Sequence, residues 1–230
     1  MLKLIRELFR KESLLDEAFE ETCAMLGLAR DMTRAATASL RHSDSAEVAL
    51  DIHKADIRIN KYERETRRRV LTHLSISTAV EHTAALVLTS IVIDVERLGD
   101  YAKNIVELAQ AHPSALNALE YEDRVRELER RIMDGFDQVT EAFRDSDADK
   151  ASQLMATHKD FTRLVDDIVD QLIAGDDSLV KGEAVTLALY IRYLKRAESH
   201  LNNIVSSVVN PFPRIGYQSK SQIKRSDENK

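Results

Sequence analysis

A chain of 230 residues, 43% hydrophobic and 31% charged, is long enough for one large helical domain or two small ones. Its six glycines, three prolines and 5% aromatics supply too few turn residues and strand formers for a sheet-rich fold. The net charge is −6, and from Pro211 onward five basic residues face two acidic ones, leaving −9 on the remainder; that excludes a duplex nucleic-acid binder, which displaces counterions with lysines and arginines.

The opening MLKLIRELFRKES is charged throughout and lacks the apolar core of a signal segment. Leu2, Ile5, Leu8 and Phe9 share one helical face, with Lys3, Arg6, Arg10 and Lys11 mixed around it. We read this stretch as the start of the first helix, docked on the body, in preference to a membrane-surface contact. That helix runs from about Leu14 to Leu40 and ends in the polar Arg41-His42-Ser43-Asp44-Ser45. A second continues to Leu74, where Ser75 and Ser77 offer N-caps for a third. The third reaches His112 and is closed by Pro113-Ser114.

Its most apolar stretch, Ala84 to Val95, is interrupted by Thr89, Ser90 and Asp94, and no run approaches the ~18–20 residues that span a bilayer. A fourth helix is expected from Leu116 to Arg144, a fifth from Asp145-Ser146-Asp147 to Ile173, and a sixth from Gly175-Asp176-Asp177-Ser178 to Asn210. Beyond Pro211 periodicity is lost, so 212–230 reads as a flexible polar tail. The single cysteine, Cys23, cannot close a disulfide within the chain, which fits a reducing cytosol.

Long helices with short connections pack antiparallel into bundles. In the third, Ile91, Val95, Leu98, Ala102, Ile105 and Leu108 form the required apolar stripe. The third and sixth helices also echo each other. Arg97, Asn104, Ile105 and Val106 recur as Arg196, Asn203, Ile204 and Val205 at a constant offset, and each helix is the last of three. The expected fold is therefore all-α, two tandem three-helix repeats at 1–113 and 114–211.

The segment most suggestive of chemistry is Asp94-Val-Glu-Arg-Leu-Gly-Asp-Tyr-Ala-Lys-Asn104. At about 100° per residue, Glu96, Asp100 and Asn104 share a face opposite the apolar stripe. Two carboxylates one turn apart, with an amide beyond, can share a cation; a solvated acidic face is the alternative. Gly99 costs about 1 kcal/mol in a helix relative to alanine. Its place beside the stripe admits either a ligand or a close helix crossing.

This segment resembles the signature helix of the PhoU family, roughly D-x-E-R-I-G-D-x-A-x-N-I, with Asp94, Glu96, Arg97, Gly99, Asp100, Ala102, Asn104 and Ile105 all matching in place. In the preceding helix Asp56, Ile59, Asn60, Tyr62 and Glu63 are similar to the family's D-x-x-I-D-x-L-E, with asparagine for the second acid. The resemblance implies spectrin-like three-helix bundles and a cytoplasmic, non-enzymatic adaptor that restrains phosphate import. Its implied partners are a phosphate transporter component and a sensor histidine kinase, with membrane association only through them; a homodimer is compatible. It also implies iron or zinc on Glu96 and Asp100, helped by Asp56 and Asn60, with Asp94, Arg97, Gly99, Asn104 and Glu63 as the supporting face.

The second half departs from that pattern. Lys195 and Ser199 stand where the acids belong, ahead of Asn203, and His158 and Thr162 replace the acids of the preceding helix. A lysine ammonium cannot ligate a metal, so the second site is expected to be lost. Ser77 replaces the proline usual before the third helix, and Thr83 an arginine. Asp94 points elsewhere on the helix and is expected to orient a neighbour or cap an arginine. His200 is read as partner to a nearby acid, with ligation the alternative.

Two other functions compete. A di-iron enzyme or metal store with no role in phosphate transport would need Glu-x-x-His pairs, and no histidine follows an acid at that spacing. A plain structural bundle explains the composition and leaves the signature helix unexplained.

Overall fold

The computed structural model describes residues 14–76, 82–112, 114–175 and 179–217. The amphipathic start, Ser77, Pro113, residues 176–178 and residues 218–230 lie outside them. Six α-helices form the described chain: α1 (Leu14–His42), α2 (Ile52–Ile76), α3 (His82–Ala111), α4 (Glu122–Asp145), α5 (Ala148–Gly175) and α6 (Lys181–Val209). Short 3₁₀ turns follow α3 and α6, at Leu119–Tyr121 and Phe212–Arg214.

α1, α2 and α3 pack on one another, as do α4, α5 and α6; α3 lies on α6 and α1 on α4. α2 and α5 are therefore the outer helices of two three-helix units. Contacts between helix starts and ends show antiparallel hairpins, with Arg69 of α2 reaching Glu17 and Glu21 of α1. The α1–α4 and α3–α6 pairs across the two units are antiparallel as well: Phe19 stacks on Phe143 while Arg41 meets Glu122, and Tyr101 meets Tyr193 while Asp94 meets His200.

The core consists of the apolar stripes. Met25, Leu26 and Met32 of α1, Ile59 of α2, and Ile91, Leu98 and Ile105 of α3 are fully buried. Phe136, Phe161 and Tyr190 do the same for the second unit. Each such side chain contributes roughly 1.5–3 kcal/mol on leaving water. Of the stripe predicted for α3, all are buried except Leu108, which packs partly buried against the core.

The connections differ from expectation. α2 starts at Ile52, because Asp51 caps it by accepting from the Lys54 amide at 3.0 Å, while Ala46, Val48 and Leu50 of the connection lean on the core. α4 starts at Glu122 rather than Leu116. Residues 114–121 instead form a strap: Leu116 donates its amide to the Leu40 carbonyl and buries its side chain, and its own carbonyl is taken by Arg41. Leu119, at φ +46°, enters the 3₁₀ turn in a left-handed conformation that an α-helix starting at Leu116 does not allow. The first six residues of the predicted tail are structured: the Gly216 amide donates to Ser206 Oγ at 2.7 Å, and Asn210 Nδ2 donates to the carbonyls of Arg214 and Tyr217.

Candidate functional site

α2 and α3 run antiparallel with Ile59 against Gly99, where a Cβ on the glycine would lie 2.7 Å from Ile59 Cδ1. Gly99 is thus filled by a neighbouring side chain, the helix-crossing reading rather than the ligand one. The close approach brings the acids of both helices into one groove. Asp56, Asn60 and Glu63 come from α2; Glu96, Asp100 and Lys103 come from α3.

That placement corrects the position of the acidic stripe. Glu96 and Asp100 were expected on a face turned away from the body, but their side chains are only 18% and 30% exposed, and Asp56 keeps 12%. The reason is α2, which packs beside this flank of α3. Crowding has an electrostatic consequence. Burial, then the Asp100 carboxylate, raise the Glu96 carboxyl above its usual range, with Glu63 and Asp56 adding to the effect against Arg97.

The groove supplies its own cations. Arg97 lies 3.0 Å from Asp100 and 3.5 Å from Glu96 along the outer edge. Lys103 Nζ sits 3.3 Å from Asp56 Oδ2 and 3.9 Å from Asp100 Oδ1. Asn60 donates to the same Asp56 oxygen at 3.3 Å, and Arg67 neutralises Glu63 at 2.8 Å. Asn104 is half-buried further along α3.

Iron or zinc would need several of these carboxylates converging on one point. Among the described residues no group of three or more His, Cys, Asp or Glu side chains is arranged to hold an ion. With the Lys103 ammonium between Asp56 and Asp100, the side chains as they lie do not fit a metal. No motif marks Lys103, although its position three residues after Asp100 places it on the same flank.

The second unit has a different set. Lys195 donates to Asp166, Ser199 turns back to the Lys195 carbonyl at 3.0 Å, and His158 lies 3.4 Å from Glu198. Asn203 leaves that groove altogether. With His200 it reaches across to α3, where Asp94 accepts from His200 Nδ1 at 2.7 Å and from Asn203 Nδ2 at 2.9 Å. Asp94 therefore orients neighbours, and His200 is partner to an acid.

Tyr101 stacks on His200 at 5.7 Å, and Arg196 donates to the Tyr101 hydroxyl. Tyr101 and His200 are counterparts at the repeat offset. Facing counterparts are what an approximate two-fold axis between α3 and α6 produces.

The sequence places Arg41 in a polar loop; in the fold it is buried between the units. It donates to Glu129 at 2.8 Å, to both oxygens of Glu122 at 2.7 Å and to the Leu116 carbonyl, while the Tyr190 hydroxyl donates to Glu129 at 2.9 Å. No periodicity marks such a residue, because its partners lie some 75 to 88 positions away.

Comparison with known proteins agrees with this architecture. A search of the curated proteins finds no match. The solved PhoU from Pseudomonas aeruginosa superposes with a TM-score of 0.77 at 23% identity, covering 85% of this chain and 95% of that one. The phosphate transport system regulatory protein PhoU from Streptococcus pneumoniae gives 0.75 at 17% identity, covering 84% and 92%. The sequence match to the family is confined to α1–α3, whereas the structural likeness extends over both units. The resemblance read from α3 holds: residues 22–109 match the PhoU domain, and the chain has the fold of the PhoU proteins.

Proposed function

We propose that this chain is a regulator of phosphate uptake that acts by docking on other proteins, in the cytoplasm, without catalysing a reaction. The observation that carries the reading is the signature helix α3, matching in place from Asp94 to Ile105 inside a domain matched over residues 22–109. The likeness to a phosphate transport system regulatory protein supports it at the level of the fold. The carboxylates of the α2–α3 groove are each paired with a cation or amide, and the Lys103–Asp56 pair joins the two helices. No helix of the described residues is long and apolar enough to cross a membrane, so membrane contact would come through a partner. The partners are a phosphate transporter component, a sensor histidine kinase of the phosphate response, or both.

The test is recovery of the tagged full chain, after mild crosslinking, from cells grown in ample phosphate. Enrichment of a phosphate permease subunit or a histidine kinase, together with raised phosphate uptake on deletion of the gene, is the expected result. Unchanged uptake on deletion, with neither protein recovered, overturns the reading and returns the bundle to a structural role.

A further inference from the structure

The α2–α3 groove of this chain gathers four carboxylates, Asp56, Glu63, Glu96 and Asp100, around three cationic side chains, Arg67, Arg97 and Lys103. Two of the cations serve the rim. Arg67 pairs within α2, and the exposed half of Arg97 lies on the outer edge of α3. Lys103 alone bridges the two helices, from α3 to Asp56 on α2, where the carboxylate is 12% exposed. A carboxylate so far withdrawn from water needs a compensating charge on the spot.

The second unit carries an exposed version of this bridge, in which the Asp166 carboxylate is 52% exposed. Lys195 of α6 donates to Asp166 of α5, again third helix to second. The two lysines are not counterparts: at the repeat offset Lys103 corresponds to Asn202, and Lys195 corresponds to Glu96. An ammonium thus closes the same helix pair in both units from non-equivalent positions. Inheritance of one lysine from a common repeat cannot produce that pattern.

We infer that Lys103 stands in for a cation between α2 and α3, so that this groove is closed by the protein's own ammonium and excludes a bound metal ion. The inference does not depend on the regulatory reading. With Lys103 in place the groove carries one excess negative charge, spread over four carboxylates. Without it the excess is two, concentrated on Asp56, Asp100 and Glu96, and a divalent ion becomes the natural replacement.

Equilibrium dialysis of the purified full chain against zinc or ferrous ion, with metal counted by mass spectrometry, tests this directly. Wild type is expected to retain far less than one ion per chain. Lys103→Met, helical by circular dichroism, is expected to gain one ion, bound about tenfold or more tightly than any in wild type. Adding Asp100→Asn to that variant should remove it.

Wild type holding one ion that Asp100→Asn releases would overturn the inference, and this arm needs no folded lysine variant. A folded Lys103→Met chain that stays as empty as wild type would overturn it equally, since the ammonium would then not be what keeps the metal out.

Discussion

Gly99 illustrates how one residue serves two accounts until its neighbour is known. From sequence it allowed a ligand or a helix crossing; the 2.7 Å separation between a built Cβ and Ile59 Cδ1 shows a crossing. Alanine here would gain about 1 kcal/mol of helix propensity. It would also press on an isoleucine with no exposed surface, and overpacking of that kind costs roughly 1–3 kcal/mol. Gly99→Ala should therefore lower stability by about 1 kcal/mol in urea unfolding. The same change made on Ile59→Val, which lacks the obstructing methyl, should raise it. A cycle with no coupling between the two sites would show that the crossing is not what requires glycine.

At the scale of elements, what ends a helix was harder to foresee than what forms one. Asp51 and Asp147 act as caps that sequence signals can suggest; Asp147 Oδ1 accepts from the Lys150 amide at 2.9 Å. The segment after α6 obeys no such signal. It folds back because Asn210 holds two carbonyls and because Gly216, at φ +82°, has no Cβ, which would lie 2.9 Å from Asn203 Oδ1. Asn210→Ala removes two hydrogen bonds worth about 1 kcal/mol each, and their loss is local. Amide exchange at Gly216 and Tyr217 should accelerate by up to about thirtyfold with the melting temperature nearly unchanged. Exchange at the wild-type rate would mean that the turn is held by other contacts.

For the whole molecule the decisive feature is the seam between units, and Arg41 is its most buried charge. Burial alone would push the Glu122 carboxyl up, but hydrogen bonds from Arg41 and Arg126 outweigh it and hold the group down to about 2. A carboxylate depressed on folding stabilises the protein above its unfolded value near 4.5, and that contribution is lost as pH falls through about 2. Glu122→Gln should thus be less stable than wild type at pH 7, with the gap closing as pH falls toward 2. Arg41→Ala should be worse, by about 3 kcal/mol, because Glu129 keeps its burial and loses its cation. A pH-independent gap for Glu122→Gln would indicate lost packing rather than lost charge.

The helices, their apolar faces, the three-plus-three order and the signature segment were legible in the sequence, because periodicity and in-place motif residues are properties of neighbours along the chain. The same reading placed Glu96 and Asp100 on one flank, His200 beside an acid, and no carboxylate pair at Lys195 and Ser199. Only the tertiary structure decided that α2 covers that flank, that Lys103 enters it, and that Arg41 is interior rather than part of a loop. Those outcomes depend on which surfaces meet across tens of residues, where desolvation selects the partner and local spacing carries no record of it.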